Sequence, residues 1–451
     1  MSVATEAPPL ADIAASLAAE ALPGEQVEVY ATRGTSTEVR IHDGDVEHLH
    51  VASDAGVGIR VIYAQLEGFA SAGTLDMDVL RRTLTRAREN ATFATQDENA
   101  GLPGDQGAYP VLDVWDEDLF SWSTDEKVAV AKDLDRRTAA ADPRIGKVQA
   151  TDYSDGWVEV AVANSAGLRA SQRRTSASVA TVVLAPDGDG QRTGFGWDVA
   201  RAPGLLDVDR ARTEAVTRAV AQLGAQPRSG GRMPVVFDPR VTAAFLGVVG
   251  ASLSGEAVLK GRSLFGGRLG DQVGAPHVSI VDDPTEARST GASPHDAEGV
   301  ASRRTPLIVD GALAAFVYNT HAGRRAGMAS TGSAVRGGYS GGAPGSGVRL
   351  LLLQPQGVTR EWLLATVPHG LYVESAQGFN VANPVTGDFS IGITGFLIRN
   401  GELAEPVREM TVASTIQRML TDLAMIADDV DYRSRSVGQT VLVSDMAVSG
   451  A

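Results

Sequence analysis

The sequence contains no cysteine. That excludes disulfides, thiolate metal sites and a cysteine nucleophile. Lysine is scarce: Lys127, Lys132, Lys147 and Lys260 are four of the 40 basic residues, which reads as composition bias rather than chemistry. No apolar run reaches about 18 residues without a charge or a turn residue, so no membrane-spanning helix is expected. The N-terminus carries acids and no basic n-region and does not read as a secretory signal. A cytoplasmic protein is the expectation. Positive charge is also in deficit: the net charge of −15 argues against nucleic acid as a partner, because phosphate binding needs a basic face.

What is present is globular. The chain has 451 residues, 43% hydrophobic and 21% charged, enough for two or three domains. Composition breaks place them at 1–110, 111–229 and 230–451, the last boundary at the polar, glycine-rich segment 226–232. Residues 9–21 read as a short amphipathic helix. Strand-like runs follow at 27–30, 37–41, 46–51 and 56–62, with Asp43-Gly44 as a hairpin turn. Residues 77–94 have helical periodicity. The order then recurs, with a helix at 125–141, strands at 148–153, 157–163, 168–173 and 177–184, and a helix at 207–223. This suggests two related layers or a structural duplication. Beyond residue 230 the pattern is mostly β: a buried strand at 233–237, another at 277–281, and two hairpins with Asp310-Gly311 and Asn400-Gly401 turns. A last helix is expected at 411–425 and an edge strand at 440–448. The fold class is therefore α+β, an N-terminal α/β part with antiparallel sheets and flanking helices followed by a β-rich C-terminal domain.

The stretch 241–273, VTAAFLGVVGASLSGEAVLKGRSLFGGRLGDQV, begins as an apolar helix. A hydrolase could carry metal ligands there, but residues 241–256 hold no His, Cys or Asp. No two of the seven histidines have the His-Glu-x-x-His spacing that lets two imidazoles meet one ion. His48 and His50 share one face of a predicted strand near His42; a solvated sheet face is the simpler reading than a metal pair. His295, His321 and His369 are scattered. Gly338-Tyr339-Ser340-Gly341-Gly342 matches G-x-S-x-G, but residues 341–347 are too rich in glycine to start the helix a nucleophile elbow requires. Gly337, Gly338, Tyr339, Ser340, Gly341 and Gly342 read instead as a loop lining a groove or an interface. Asp187-Gly188-Asp189-Gly190 reads as a β-turn rather than a Ca²⁺ loop. Asp282, Asp283, Asp296 and Glu298 could bind a cation or work as acid and base, and turn-capping is the plainer alternative.

Several ordered segments together resemble the TldD/PmbA family, also called the modulator of DNA gyrase family. They are VVFDPRVTAAFLGVVGASLSGEAVLKGRSLFGGRLGDQV, HVSIVDDP, DAEGV, LIVDGAL, AGRRAGMASTGSAVR, HGLYV, NPVTGDFSIGITGFLIRNGELAEPV and MAVSGA, with EVRIHDGDVEHLHVASDAGVGIRVIY in the N-terminal half. The resemblance implies two branches. TldD-like members carry a His-Glu-x-x-x-His helix that holds a metal, usually zinc, with a third ligand from a C-terminal Cys; PmbA-like (TldE) members lack these ligands. Laid on this chain, the first His falls at Leu246, the Glu at Gly247 and the second His at Ala251, all inert. The resemblance thus implies the PmbA/TldE-like branch, with no cofactor in this chain and zinc in a TldD-like partner. It implies a heterodimer in which the partner cleaves unfolded or precursor peptides, natural-product precursors among them, while this subunit completes a chamber. The glycine loop would line that chamber or the subunit interface. The alternatives are a homodimeric binding or scaffold protein, and a stand-alone hydrolase built on His48/His50 or on the Asp282–Glu298 carboxylates.

Overall fold

The computed structural model describes residues 9–378, 383 and 386–450. The opening octapeptide, Pro384 and Val385 of the NPVTGDF motif, and Ala451 of MAVSGA lie outside the described residues. The N-terminal half runs α1 (Leu10–Ala18), β1 (Glu25–His42), β2 (Asp45–Tyr63), β3 (Leu66–Ala72), α2 (Met77–Ala91), α3 (Thr124–Ala139), β4 (Lys147–Asn164), β5 (Arg169–Asp187), β6 (Gly190–Ala200) and α4 (Val208–Ala221). Its strands form one antiparallel sheet in the order β3-β2-β1-β4-β5-β6.

The short runs read from the sequence fuse into long strands, and β3 and β6 are additional ones. The interruptions are glycines that serve pairing. A Cβ at Gly34 would sit 2.4 Å from the Trp157 carbonyl oxygen, and one at Gly156 would sit 2.5 Å from that of Thr35. The central β1–β4 pair therefore closes through two bare backbones without losing register. Asp43 and Gly44 both take positive φ, 52° and 79°, as a two-residue hairpin turn requires.

The two passes lie side by side, with β1 against β4 at the centre. In each half the third strand meets the closing helix through glycine. Gly68 of β3 faces Ala87 and Ala91 of α2, while Gly194 and Gly196 of β6 face Ala215 and Ala211 of α4. Strand alternation sorts the two faces. Val27, Val29, Val57, Ile59 and Val61 pack with Leu10, Leu17, Leu80 and Leu84 of the helices. Residues one position away, Tyr30, Val160 and Val162, turn to the C-terminal half and meet Ala297 and Tyr339.

That half contains β7 (Gly231–Phe237), α5 (Pro239–Ser252), α6 (Gly255–Leu259), β8 (Ile280–Asp282), β9 (Thr305–Val309), β10 (Ala312–Leu313), α7 (Thr320–Ala326), β11 (Ala334–Val335), β12 (Gly345–Ser346) and β13 (Leu351–Leu353). It continues with β14 (His369–Gln377), β15 (Asp388–Arg399), β16 (Glu402–Thr415), β17 (Leu423–Ile426), β18 (Ser436–Val437) and β19 (Val441–Ser449). A sheet ordered β16-β15-β14-β7-β19-β17 closes into a barrel because β16 also pairs with β19. A smaller sheet is ordered β10-β9-β8-β13-β18. Both expected hairpins form, with positive φ at Asp310-Gly311 and at Asn400-Gly401.

Three expectations are corrected. Residues 411–425 are not one helix: β16 runs to Thr415, a short helix spans Ile416–Thr421 and β17 follows. Met410 and Val412 point inward with period two, and pairing with β15 and β19 overrides the apparent helical spacing. The tail is no edge strand, since β19 lies between β7 and β17 and closes the barrel. The strand expected at 277–281 is the shorter, shifted β8.

The end of α4 meets the barrel through a polar contact. Gln222 Nε2 donates to Glu374 Oε2 on β14 at 3.2 Å. Burial pushes Glu374 up to about 7 from an ordinary 4.5, with Arg218 opposing and Asp238 adding to the shift. A carboxyl raised on folding contributes stability at low pH and loses it as pH rises from about 4.5 to about 7. Glu374→Gln should therefore be more stable than the wild type by on the order of 1–3 kcal/mol at about pH 8 and indistinguishable near pH 4. Thermal unfolding across pH reads the difference; an equal gain at both ends would contradict this cause.

Candidate functional site

The apolar helix expected from residue 241 onward is α5. It starts cleanly, with Pro239 in the first turn and Asp238 Oδ1 accepting from the Arg240 backbone N–H at 3.0 Å. It ends at Leu253, where the Ser254 hydroxyl donates to the Ser346 carbonyl at 2.7 Å. Val241, Phe245, Leu246, Val249 and Leu253 enter the barrel core.

This packing separates the three inert positions. Leu246 is wholly buried among apolar side chains, whereas Gly247 and Ala251 are exposed. Positions five apart are about 140° apart around a helix, while positions four apart share a face. Gly247 and Ala251 line a cavity of about 440 Å³ together with Ser254, Glu256, Lys260 and Arg262. Glu256 forms an ion pair with Lys260 and accepts from the Ser346 N–H at 3.1 Å. The Lys260 bond is the main reason its carboxyl lies below the usual range.

A zinc ion does not fit these residues. The wall offers one committed carboxylate, two serine hydroxyls that donate to backbone carbonyls, an ammonium and a guanidinium, with no imidazole, where zinc takes three or four N, O or S ligands. Among the described residues no group of three or more His, Asp or Glu is placed to hold a metal ion.

The other candidates are dispersed. His48 and His50 stand on the exposed part of β2 opposite Arg40 and Glu38. His42 Nδ1 bonds the Gln149 carbonyl at 2.8 Å, and His321 Nε2 pairs with Asp97 at 2.7 Å. His369 begins β14. His295 is buried, and desolvation pushes its pKa down to about 4.

The carboxylates mostly cap backbone. Asp282 accepts from the Arg349 and Leu350 N–H groups, and Asp283 from that of Thr285. Asp296 accepts from Glu298, Val300 and Ala334. Glu298 instead joins an ionic cluster: Arg60 Nη2 lies 3.2 Å from it and 2.7 Å from Glu28, and Arg336 holds the other oxygen of Glu28.

Ser340 lies in a turn between β11 and β12, with no helix after it, so the elbow geometry is absent. The loop 337–342 is the tip of that hairpin and is docked onto the N-terminal sheet. A Cβ at Gly56 would fall 2.4 Å from the Tyr339 ring, and one at Gly58 would fall 2.2 Å from its carbonyl oxygen. The cluster of Arg174, Arg336, Arg349 and Arg435 around one cavity was not foreseen. Their separation in sequence leaves no local spacing to read.

Comparison with known proteins agrees with this architecture. Sequence profiles of the PmbA/TldA metallopeptidase match over residues 27–91 (domain 1), 117–223 (central domain) and 230–450 (C-terminal domain). The chain is 26% identical to Metalloprotease PmbA of Escherichia coli O157:H7, over 97% of this chain and 94% of the relative. It is 26% identical to a Metalloprotease TldD homolog of Haemophilus influenzae, over 86% and 82%. In fold it resembles a modulator of a DNA gyrase from Thermotoga maritima, with a TM-score of 0.86 and 24% identity over 95% of this chain and 96% of that one. TldE from Thermococcus kodakarensis gives 0.86 at 22% identity over 94% and 97%. With all three of its domains matched in order, the chain belongs to the PmbA/TldD metallopeptidase family.

Proposed function

We propose that this chain is the non-catalytic, PmbA/TldE-like subunit of a heterodimeric zinc metallopeptidase. In this reading it shapes a chamber in which a metal-bearing partner cleaves unfolded or precursor peptides. The observation that carries the reading is the helix α5. Its apolar residues pack in the barrel core, and Leu246, Gly247 and Ala251 stand where the resemblance would put the metal ligands. None of these side chains binds an ion or activates water, and no cysteine can supply a third ligand. The cavity beside Gly247 and Ala251 supports the same view, because its Lys260 and Arg262 would repel a cation.

The reading is tested by purifying the chain alone and together with a family member bearing His-Glu-x-x-x-His. The isolated chain should show no chelator-sensitive hydrolysis of an unstructured peptide. The co-expressed pair should co-purify and hydrolyse it, with all turnover lost on chelation. Chelator-sensitive turnover by the isolated chain, or failure to associate with the partner, would sink the idea.

A further inference from the structure

A second cavity, of about 140 Å³, lies where the N-terminal sheet meets the C-terminal half. That is several times the ~15 Å³ that one water needs. Four guanidinium groups line it: Arg174 from β5, Arg336 after β11, Arg349 before β13 and Arg435 before β18. Their partners do not balance them. Among the described residues, Arg174 and Arg435 have no side-chain hydrogen bond or ion pair. The Arg336 side chain is fully buried. One of its amino groups holds Glu28, while its Nε and Nη1 have no partner. Its guanidinium carbon stands 4.7 Å from the centre of the Tyr30 ring. Arg349 donates only to neutral acceptors, the Ser302 hydroxyl at 2.7 Å, the Gly332 carbonyl at 3.1 Å and the His295 carbonyl at 2.7 Å.

Negative charge at the wall is small. Glu28 is already divided between Arg60 and Arg336. Asp296 lines the cavity, but burial and then the neighbouring Glu298 push its pKa up to about 7, so it offsets at most part of one charge. His295 is held neutral by burial, and its Nε2 is a further buried atom without a partner. Burial depresses the pKa of Arg174, and Arg435 depresses it further. Arg435 is exposed, but unpaired guanidinium nitrogens on fully buried Arg336 and half-buried Arg174 are costly. They are also the chemistry that grips planar or tetrahedral oxyanions through parallel N–H bonds.

From this we infer that the cavity binds a small oxyanion, a carboxylate or phosphate group, gripped by Arg174, Arg435 and the free Nε and Nη1 of Arg336. This site is separate from the Gly247–Ala251 cavity, with Val348 forming part of both walls. The inference goes beyond the proposed subunit role and does not depend on a partner.

The test uses the full chain at constant ionic strength, with chloride as the reference anion. Inorganic phosphate, a tripeptide with a free C-terminal carboxylate and the same tripeptide amidated are titrated by calorimetry and by thermal shift. Phosphate, the free-carboxylate peptide or both should bind and raise the Tm above the chloride reference, and the amide should not. Which of the two acts identifies the source of the oxyanion. In the Arg174→Gln/Arg435→Gln double variant the affinity should fall at least about tenfold. The unliganded variant should be at least as stable as the wild type, because two repelling cations are gone. No response to either anion in the wild type, binding of the amide as tight as that of the free peptide without any phosphate effect, or undiminished binding by the double variant would each overturn the inference.

Discussion

Replacing Arg60 by methionine is expected to destabilise the protein by about 3–5 kcal/mol at neutral pH. Arg60 stands on β2 with its side chain 2% exposed, and it bonds Glu28 of β1 and Glu298 of the C-terminal half, both fully buried. It joins the two halves there together with Arg336, which reaches Glu28 from the C-terminal side. Methionine keeps most of the volume and removes the charge. Glu28 keeps Arg336, but Glu298 is left with only the Thr320 N–H at 2.8 Å. Most of the loss should therefore come from Glu298, and adding Glu298→Gln to Arg60→Met should recover part of it. Burial alone would raise the pKa of Glu28; Arg60 and Arg336 together outweigh burial and hold it below the ordinary 4.5. A carboxyl lowered on folding contributes stability above its unfolded pKa and loses it as pH falls through the folded value. The gap between wild type and Arg60→Met should be full at pH 7 and narrow below about 4.5. Urea unfolding at several pH values measures it. A pH-independent loss, or no recovery in the double variant, would assign the effect to packing instead.

The elements legible in the sequence were those whose signals are local. The helices α2, α3 and α4 announce themselves by periodicity, and three hairpins by Asp-Gly or Asn-Gly turns. The apolar face of α5 is equally plain, as is the failure of Ser340 to start a helix. The barrel was not legible. Its closure depends on β19 meeting β7 across most of the C-terminal half and then β16 on its other side, and no local pattern encodes those pairings. Residues 411–415 also carry apolar spacing compatible with a helix until the neighbouring strands are in place. The long strands were cut short for a related reason. Gly34 and Gly156 look like breaks singly, and only their mutual approach across β1 and β4 shows that they permit pairing. At the site, the resemblance singled out Leu246, Gly247 and Ala251, and all three lie on α5. It could not reveal that Leu246 belongs to the core while the other two face a cavity. Nor could spacing gather four arginines from four separate segments.

Gly58→Val is expected to release the β11–β12 hairpin from the N-terminal sheet. The substitution suits a strand locally, since β-branched residues favour extended backbone. By propensity alone it would leave the sheet as stable or make it more so. The tertiary contact points the other way. A Cβ at Gly58 would lie 2.2 Å from the Tyr339 carbonyl oxygen and 3.1 Å from the Phe69 ring. The ring can rotate, but the carbonyl belongs to a turn held by the Gly341 N–H bond to Gly338 and by the short β11–β12 ladder. The hairpin therefore has to move as a unit, taking the Tyr339 ring off Gly56. The stability loss should be about 1–3 kcal/mol. The more specific signature is local: amide hydrogen exchange should accelerate in 334–346 while β1, β2 and β4 keep their protection. Tyr339→Ala supplies the contrast, because it removes the ring and leaves the backbone contact with Gly58. It should cost less protection in the hairpin than Gly58→Val. If Gly58→Val left exchange in 334–346 unchanged, the glycine notches on β2 would have no docking role.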